Sequence, residues 1–357
     1  MKEFVPRQPL VFEGIQYLRG IAAMMVVFHH ARNEFGAAIS MTIGARGVEI
    51  FFVISGLVMM YSTKGGLQTA GQPLRERLSG VVLFWKRRFI RVAPLYWIAL
   101  LLFAQLQSNA DLANWTLLQD ALFIPHLNKA FPDQIWPTLV PGWSLNYEMF
   151  FYFLFGLSLL LWQSSVAILC ACIIGLCALP LALASHSIAF RFYTAPIMLH
   201  FIAGMLLYYL IEAMRQRPAW RPPRWAMCLA FLTGFVGLGM SPAWAGALWL
   251  LLPSSLIVVS SVFLFDGIKL PVLRLLGDAS YSIYLFHILA FIFAHQAISW
   301  LGLSAVSTGE ILANFAVYLI VSAGAGVFIH IVLEKPVTGY AISLLRRKSS
   351  TAVAAQS

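Results

Sequence analysis

Ten apolar stretches dominate this chain, at about 15–33, 45–61, 92–108, 142–162, 165–184, 196–213, 225–240, 245–265, 279–300 and 310–333. Each approaches the roughly 20 residues that a helix needs to cross a hydrocarbon layer about 30 Å thick. In that solvent every backbone amide must be satisfied within its own segment, so the sequence predicts an all-α polytopic membrane protein with about ten transmembrane helices. Composition agrees. Hydrophobic residues make up 60% of the 357 positions and charged residues 11%, whereas soluble domains run near a quarter charged.

An even number of crossings puts both termini on one side. The connections of that side hold 20 of the 24 Lys and Arg residues, which the positive-inside rule makes cytoplasmic. Only Arg32, Arg46, Lys129 and Arg191 fall on the other side. The net charge of +10 therefore reports topology, and no nucleic-acid partner is implied. The first stretch carries Arg19 and His30 with no small-residue cleavage site after it, so it is expected to remain as a helix rather than leave as a signal peptide. Cys170, Cys172, Cys177 and Cys228 lie within apolar runs, without histidines at metal-ligand spacing; they read as packing residues, and no metal is expected.

Residues 1–357 are expected to form one integral-membrane domain, with spans over about 15–333 and a short cytoplasmic tail at 334–357, too small for a core of its own. Residues 62–91 read as a cytoplasmic loop leading into a basic helix start. The external connection 109–141 contains a stretch at 114–123 whose apolar spacing suits a short surface helix.

Arg19 and His30 are eleven residues apart, which on a helix is only about 20° past three turns and about 16 Å along the axis. Both therefore leave one face, the arginine near one surface and the histidine deeper. Ionisable groups in a span are costly enough that function is the default reading. His30 is a candidate general base, since imidazole titrates near neutral pH, and Glu49, at the outer start of the second helix, is placed to orient it. His29 faces about 100° away. Arg88 and Arg91, three apart on one helix face, form a fork suited to phosphate, while Lys86 and Arg87 read as anchors to anionic lipid. Trp143 and Ser144 begin the fourth span and Glu148 lies about one turn inside it; tryptophan stacks on sugar C–H faces and a carboxylate holds hydroxyls. His287 is expected at mid-depth in the ninth span, and His200, His295 and His330 read as structural.

Gln16-Tyr17-Leu18-Arg19-Gly20-Ile21-Ala22-Ala23 with His30, then Gly47-Val48-Glu49-Ile50-Phe51-Phe52-Val53-Ile54-Ser55-Gly56, resemble the start of the acyltransferase-3 family of membrane acyltransferases. Phe84 to Trp97 is similar to that family's basic motif, Trp143-Ser144-Leu145-Asn146-Tyr147-Glu148-Met149-Phe150-Phe151-Tyr152 to its tryptophan-serine-leucine-glutamate motif, and Gly277 to His287 with Glu334-Lys335-Pro336 completes the set, in order. The nearest branch in flavour acetylates bacterial exopolysaccharides. The resemblance implies transfer of an acyl group, usually acetyl from cytoplasmic acetyl-CoA, to a hydroxyl of an extracytoplasmic glycan or lipid-linked saccharide. It places the chain in a bacterial inner membrane, surrounded by lipid and beside polysaccharide synthesis machinery. His30 would act as base or acyl carrier with Glu49; Arg19, Arg88 and Arg91 would hold coenzyme A; Trp143, Ser144, Glu148 and His287 would meet the acceptor. Some relatives add an extracytoplasmic esterase-like domain. This sequence shows none, so direct transfer to the acceptor, or to a separate partner protein, is expected. Two other classes fit the same spans: a flippase for lipid-linked saccharide and a non-catalytic subunit of a polysaccharide synthesis complex.

Overall fold

A computed structural model describes residues 13–33, 43–63, 73–106, 114–161, 165–217, 221–240, 246–303 and 308–354. Among the described residues there is no strand. The helices are α1 (Glu13–Asn33), α2 (Gly47–Thr63), α3 (Leu74–Leu106), α4 (Asn114–Ala121), α5 (Trp143–Ser158), α6 (Ser165–Ala182) and α7 (Ile188–Tyr193). They continue with α8 (Leu199–Gln216), α9 (Arg224–Gly239), α10 (Gly246–Leu264), α11 (Pro271–Asp278), α12 (Ser280–Trp300), α13 (Thr308–Ile329) and α14 (Lys335–Ala354). Among the described residues six segments are long and apolar enough to cross a membrane: Ile43–Thr63, Leu74–Leu106, Ile188–Gln216, Gly246–Leu264, Ser280–Trp300 and Gly309–Leu345. Two shorter apolar helices, Val166–Ala182 and Arg224–Gly239, accompany them. Large apolar side chains such as Leu181, Phe293, Ile320 and Phe328 stand exposed on the outer faces, as lipid-facing residues do.

Two boundaries differ from the sequence reading. α3 begins at Leu74, well before the expected span at residue 92, so the basic helix start is longer than the sequence reading gave it and Lys86 to Arg91 ride well inside a continuous helix. Thirty-three residues extend about 50 Å, well beyond the hydrocarbon thickness. The first turns therefore stand clear of the apolar layer, where their charges are at home. Arg77 uses the overhang, donating from Nη1 to the Leu160 carbonyl at 2.8 Å, just past the C-terminus of α5, where the helix dipole favours a cation. The residues assigned to a tail after 333 also continue as helix: α13 passes through a π-turn at His330–Glu334 into α14.

The core is bound by close backbone approach. A Cβ on Gly56 would collide with the Phe201 carbonyl, and one on Gly204 with the Val53 carbonyl, so α2 and α8 meet backbone to backbone through a reciprocal glycine pair, the mode that substitutes for hydrophobic drive in lipid. Around this contact Phe52, Phe151 and Phe201 stack at 4.6 and 4.2 Å between centroids. α1 is seated similarly against the end of α11, where a Cβ on Gly277 would strike the Gln16 carbonyl. Tyr17 locks the joint, donating to the Ile268 carbonyl at 2.7 Å and accepting from the Leu270 amide at 2.9 Å. Since Gln16 meets Asp278 and, further along, His30 meets His287, α1 and α12 run parallel.

α4 forms where apolar spacing predicts it and is tied to α3 by Trp97, whose Nε1 donates to the Ala121 carbonyl at 2.9 Å. Its end closes through Phe123, held at φ 57° by amide bonds to Asp120 and Gln119; the ring stacks on Tyr96 at 5.1 Å, which keeps an aromatic where glycine is usual. Beyond it, His126 presents Nε2 to the Asp120 carboxylate at 2.6 Å and Nδ1 to the Leu127 carbonyl at 2.9 Å. Both partners only accept, so the ring is held as an imidazolium. The Asp120 hydrogen bond raises its pKa above the ordinary histidine value. A raised folded pKa gives a contribution that is complete below about 6.5 and lost as pH climbs through the folded value. Protease nicking of the 122–139 segment, relative to a His126→Gln variant, should therefore accelerate between pH 6 and 9 in detergent. A flat ratio would show that the pair does not hold the loop.

Candidate active site

Five helices enclose a cleft with about 770 Å³ of empty space, its open mouth included. α1 contributes Arg19, α2 Ser55, α3 Arg88 and Arg91, α5 Ser144, Glu148 and Tyr152, and α12 Ser280, Tyr281 and Tyr284. Three guanidinium groups against one carboxylate give the lining a net positive charge.

Side-chain contacts hold three of these charged groups. Glu148 Oε1 accepts from Ser55 Oγ at 2.7 Å and from the Tyr152 hydroxyl one turn further along α5. Arg88 donates from Nη2 to Ser62 Oγ at 3.0 Å and lies over the rings of Phe84 and Tyr152, 5.5 and 5.8 Å from their centroids; such faces attract a cation while leaving its remaining N–H groups for an anion. Arg19 donates to Gln16 Oε1 at 3.3 Å, and Gln16 in turn donates to Asp278 Oδ1 at 3.2 Å. On one wall the Tyr284 hydroxyl donates to the Pro141 carbonyl at 2.8 Å and shares a 2.7 Å hydrogen bond with Ser144. Tyr281 donates to the Val92 carbonyl at 2.7 Å, tying α12 to α3 beside the arginines.

One turn past Tyr284 on α12 stands His287, fully buried, its Nδ1 on the Tyr284 carbonyl at 2.7 Å. Its ring lies 5.0 Å from that of His30, and the His29 ring lies 5.2 Å from His30 on the other side. His30 is near the far end of α1, three residues before Asn33. Arg19 thus opens into the cleft while His30 lies beside it, next to His287. Glu49 is buried, but its Oε1 faces Arg46 at 3.4 Å. Oε2 has no hydrogen-bond partner, and among the described residues no ion pair joins Glu49 to His30.

Of the sequence candidates, Arg19, Arg88, Arg91, Ser144 and Glu148 line the cleft; His30 and His287 pair with each other outside the lining, one turn of α12 beyond Tyr284, and Glu49 and Trp143 also stand apart from it. Trp143 packs its edge on Phe52 and Tyr147 at 6.3 and 5.9 Å. Glu148, read in sequence with the acceptor, sits among the arginines. The sequence reading quoted Ser55 and Tyr152 within its motifs but gave them no role. Tyr152 follows Glu148 by four residues, the same-face spacing, and was there to be found; Ser55 lies 93 residues from Glu148 and carried no local signal. Glu334, likewise quoted in a motif without a role, accepts at Oε2 from Ser282 at 2.6 Å and bonds His330 Nδ1 at 2.7 Å within the π-turn. His200 and His295 serve structure, on the Ile197 carbonyl and the Tyr318 hydroxyl. Cys172 and Cys228 are exposed on outer faces rather than packed.

Membrane-crossing helices closing on a cleft lined by three guanidinium groups define a multi-pass membrane protein with a positively charged site. The chain belongs to the acyltransferase-3 family, whose acyltransferase domain matches residues 12–334, and it is an acyltransferase. It is 33% identical to the exopolysaccharide production protein ExoZ of Rhizobium meliloti (strain 1021) over 91% of this chain and 96% of the relative. It is 26% identical to the acyltransferase MdmB of Streptomyces mycarofaciens over 98% and 96%, and 34% identical to protein 2 in the picA locus of Rhizobium radiobacter over 29% and 48%. No solved structure matches the chain.

Proposed function

We propose that this acyltransferase moves an acetyl group from cytoplasmic acetyl-CoA to a hydroxyl of an extracytoplasmic glycan or lipid-linked saccharide, across ten helices of a bacterial inner membrane with both termini in the cytoplasm. The observation that carries the reading is the convergence of Arg19, Arg88 and Arg91 on one cleft, a site for the phosphates of a nucleotide thioester. The similarity to ExoZ, an exopolysaccharide production protein, favours a polysaccharide as acceptor, in company with its synthesis machinery. A charged nucleotide cannot cross hydrocarbon, so the thioester arm reaches inward past Tyr284 while the nucleotide stays at the arginine mouth. His30 takes the proton of the acceptor hydroxyl as its oxygen attacks the thioester carbonyl. The C–S bond breaks, and the thiolate leaves with the proton as free coenzyme A thiol. The same ring is placed to carry the acyl group itself, through an acyl-histidine from which the acceptor collects it. Ser144 and Glu148 stand where arm and acceptor meet, with Trp143 behind them, and Glu49 steadies the outer end through Arg46.

Saturable binding of acetyl-CoA to the purified protein, displaced by coenzyme A, is the direct test. Sidedness is the second. In a background with the four native cysteines replaced, Asp133→Cys should react with a membrane-impermeant thiol reagent in intact cells, and Gln216→Cys only after the membrane is opened. Both positions are exposed. Asn128 is unsuitable, being buried and bonded to the Pro137 carbonyl at 2.9 Å. Reversed labelling would put the arginines on the side that lacks acetyl-CoA.

A further inference from the structure

We infer that His287 is a positioning residue that acts through His30: its Nε2 accepts a hydrogen bond from the His30 ring and so fixes which His30 nitrogen is free to take the acceptor's proton. The inference rests on the proposed transfer reaction. A carbonyl oxygen only accepts, so the 2.7 Å contact with Tyr284 assigns a proton to Nδ1 of His287 and leaves a lone pair on Nε2. That Nε2 is buried and has no hydrogen-bond partner, a costly state for an acceptor in an apolar interior. Three rings lie against His287: Tyr284, Phe291 and His30. Phe291 has nothing to donate, and the Tyr284 hydroxyl is engaged with Pro141 and Ser144. Of these rings His30, 5.0 Å away between centroids, is the one with an N–H to give, and a small turn of its ring brings that donor to Nε2.

The helices make this pairing durable. α1 and α12 run parallel from the Gln16–Asp278 contact, so seven residues into α12 and the far part of α1 arrive at one level. Glu49, the carboxylate expected to orient the base, faces Arg46 instead, which leaves the orienting position to a neutral imidazole. A backbone carbonyl that fixes one histidine, which fixes a second, satisfies the requirement that a base be held by a third group. When His30 takes up the acceptor's proton, both its nitrogens carry hydrogen, and the one facing His287 keeps its lone-pair partner while charge develops.

The test compares two variants that each keep half of the ring's chemistry. Asn places an amide N–H near the position of Nδ1 and loses Nε2; Gln places an amide oxygen near Nε2 and loses the bond to Tyr284. Thiol release would be followed with acetyl-CoA as donor and a lipid and glycan extract of the native membrane as acceptor, on variants with equal thermal midpoints in detergent. His287→Asn should lower turnover at least tenfold with KM for acetyl-CoA unchanged, and His287→Gln should recover several-fold of that loss. In a His30→Ala background His287→Asn should cost nothing further, since the interaction is already gone. Additive losses in the double variant, or a Gln variant no better than Asn, would overturn the role of His287 and leave the transfer reaction standing. A wild type that releases no thiol would overturn both.

Discussion

His30→Ala is expected to leave folded protein in the membrane at its normal level and to lower acyl transfer by at least about a hundredfold, the scale on which enzymes lose a general base. Two imidazoles neighbour it, at 5.0 and 5.2 Å between centroids, and neither is set to take its place. His287 is fixed by the Tyr284 carbonyl, and His29 packs toward Gly44, whose Cβ position lies 3.0 Å from the His29 Cβ. His29→Ala should therefore cost far less. Acetyl content of the product glycan, measured in cells that lack the native protein, separates the two variants. Equal acetylation by wild type and His30→Ala would remove the histidine from the chemistry under either form of the mechanism, direct base or acyl carrier.

Arg88→Lys is expected to weaken acetyl-CoA binding roughly tenfold, the scale of one charge-assisted hydrogen bond. Lysine keeps the charge, so membrane orientation is unchanged. It loses the planar fork that donates to Ser62 while resting on Phe84 and Tyr152. Arg91→Lys should act in the same direction. Binding of 3′-dephospho-acetyl-CoA resolves the contact further: if Arg88 grips the 3′-phosphate, the variant and the wild type should bind the truncated donor with similar affinity. Unchanged binding of intact acetyl-CoA would reduce the pair to an anchor for anionic lipid.

The sequence by itself determined what is local. Hydropathy sums over one segment at a time, so the all-helical, multi-pass character and the short helix at 114–121 were legible, as was the shared face of Arg88 and Arg91; of the ten expected crossings, six segments among the described residues are long and apolar enough to span. The start of α3 was not. Its first turns carry Arg75, Glu76, Arg77 and Lys86 to Arg88, and helices that overhang the apolar layer lose the signal that marks the part within it. The five-helix cleft was decided only by tertiary structure. Gly56 and Gly204 look like any glycines until α2 and α8 are laid together, and the Gln16–Asp278 contact spans 262 residues. The same holds for the partners of the titratable groups. Sequence placed Glu49 near the depth of His30, yet which side chain a carboxylate meets depends on helix rotation, and here it meets Arg46 while His30 meets His287. Rotation is set by packing against every neighbour at once, and no single segment carries that information.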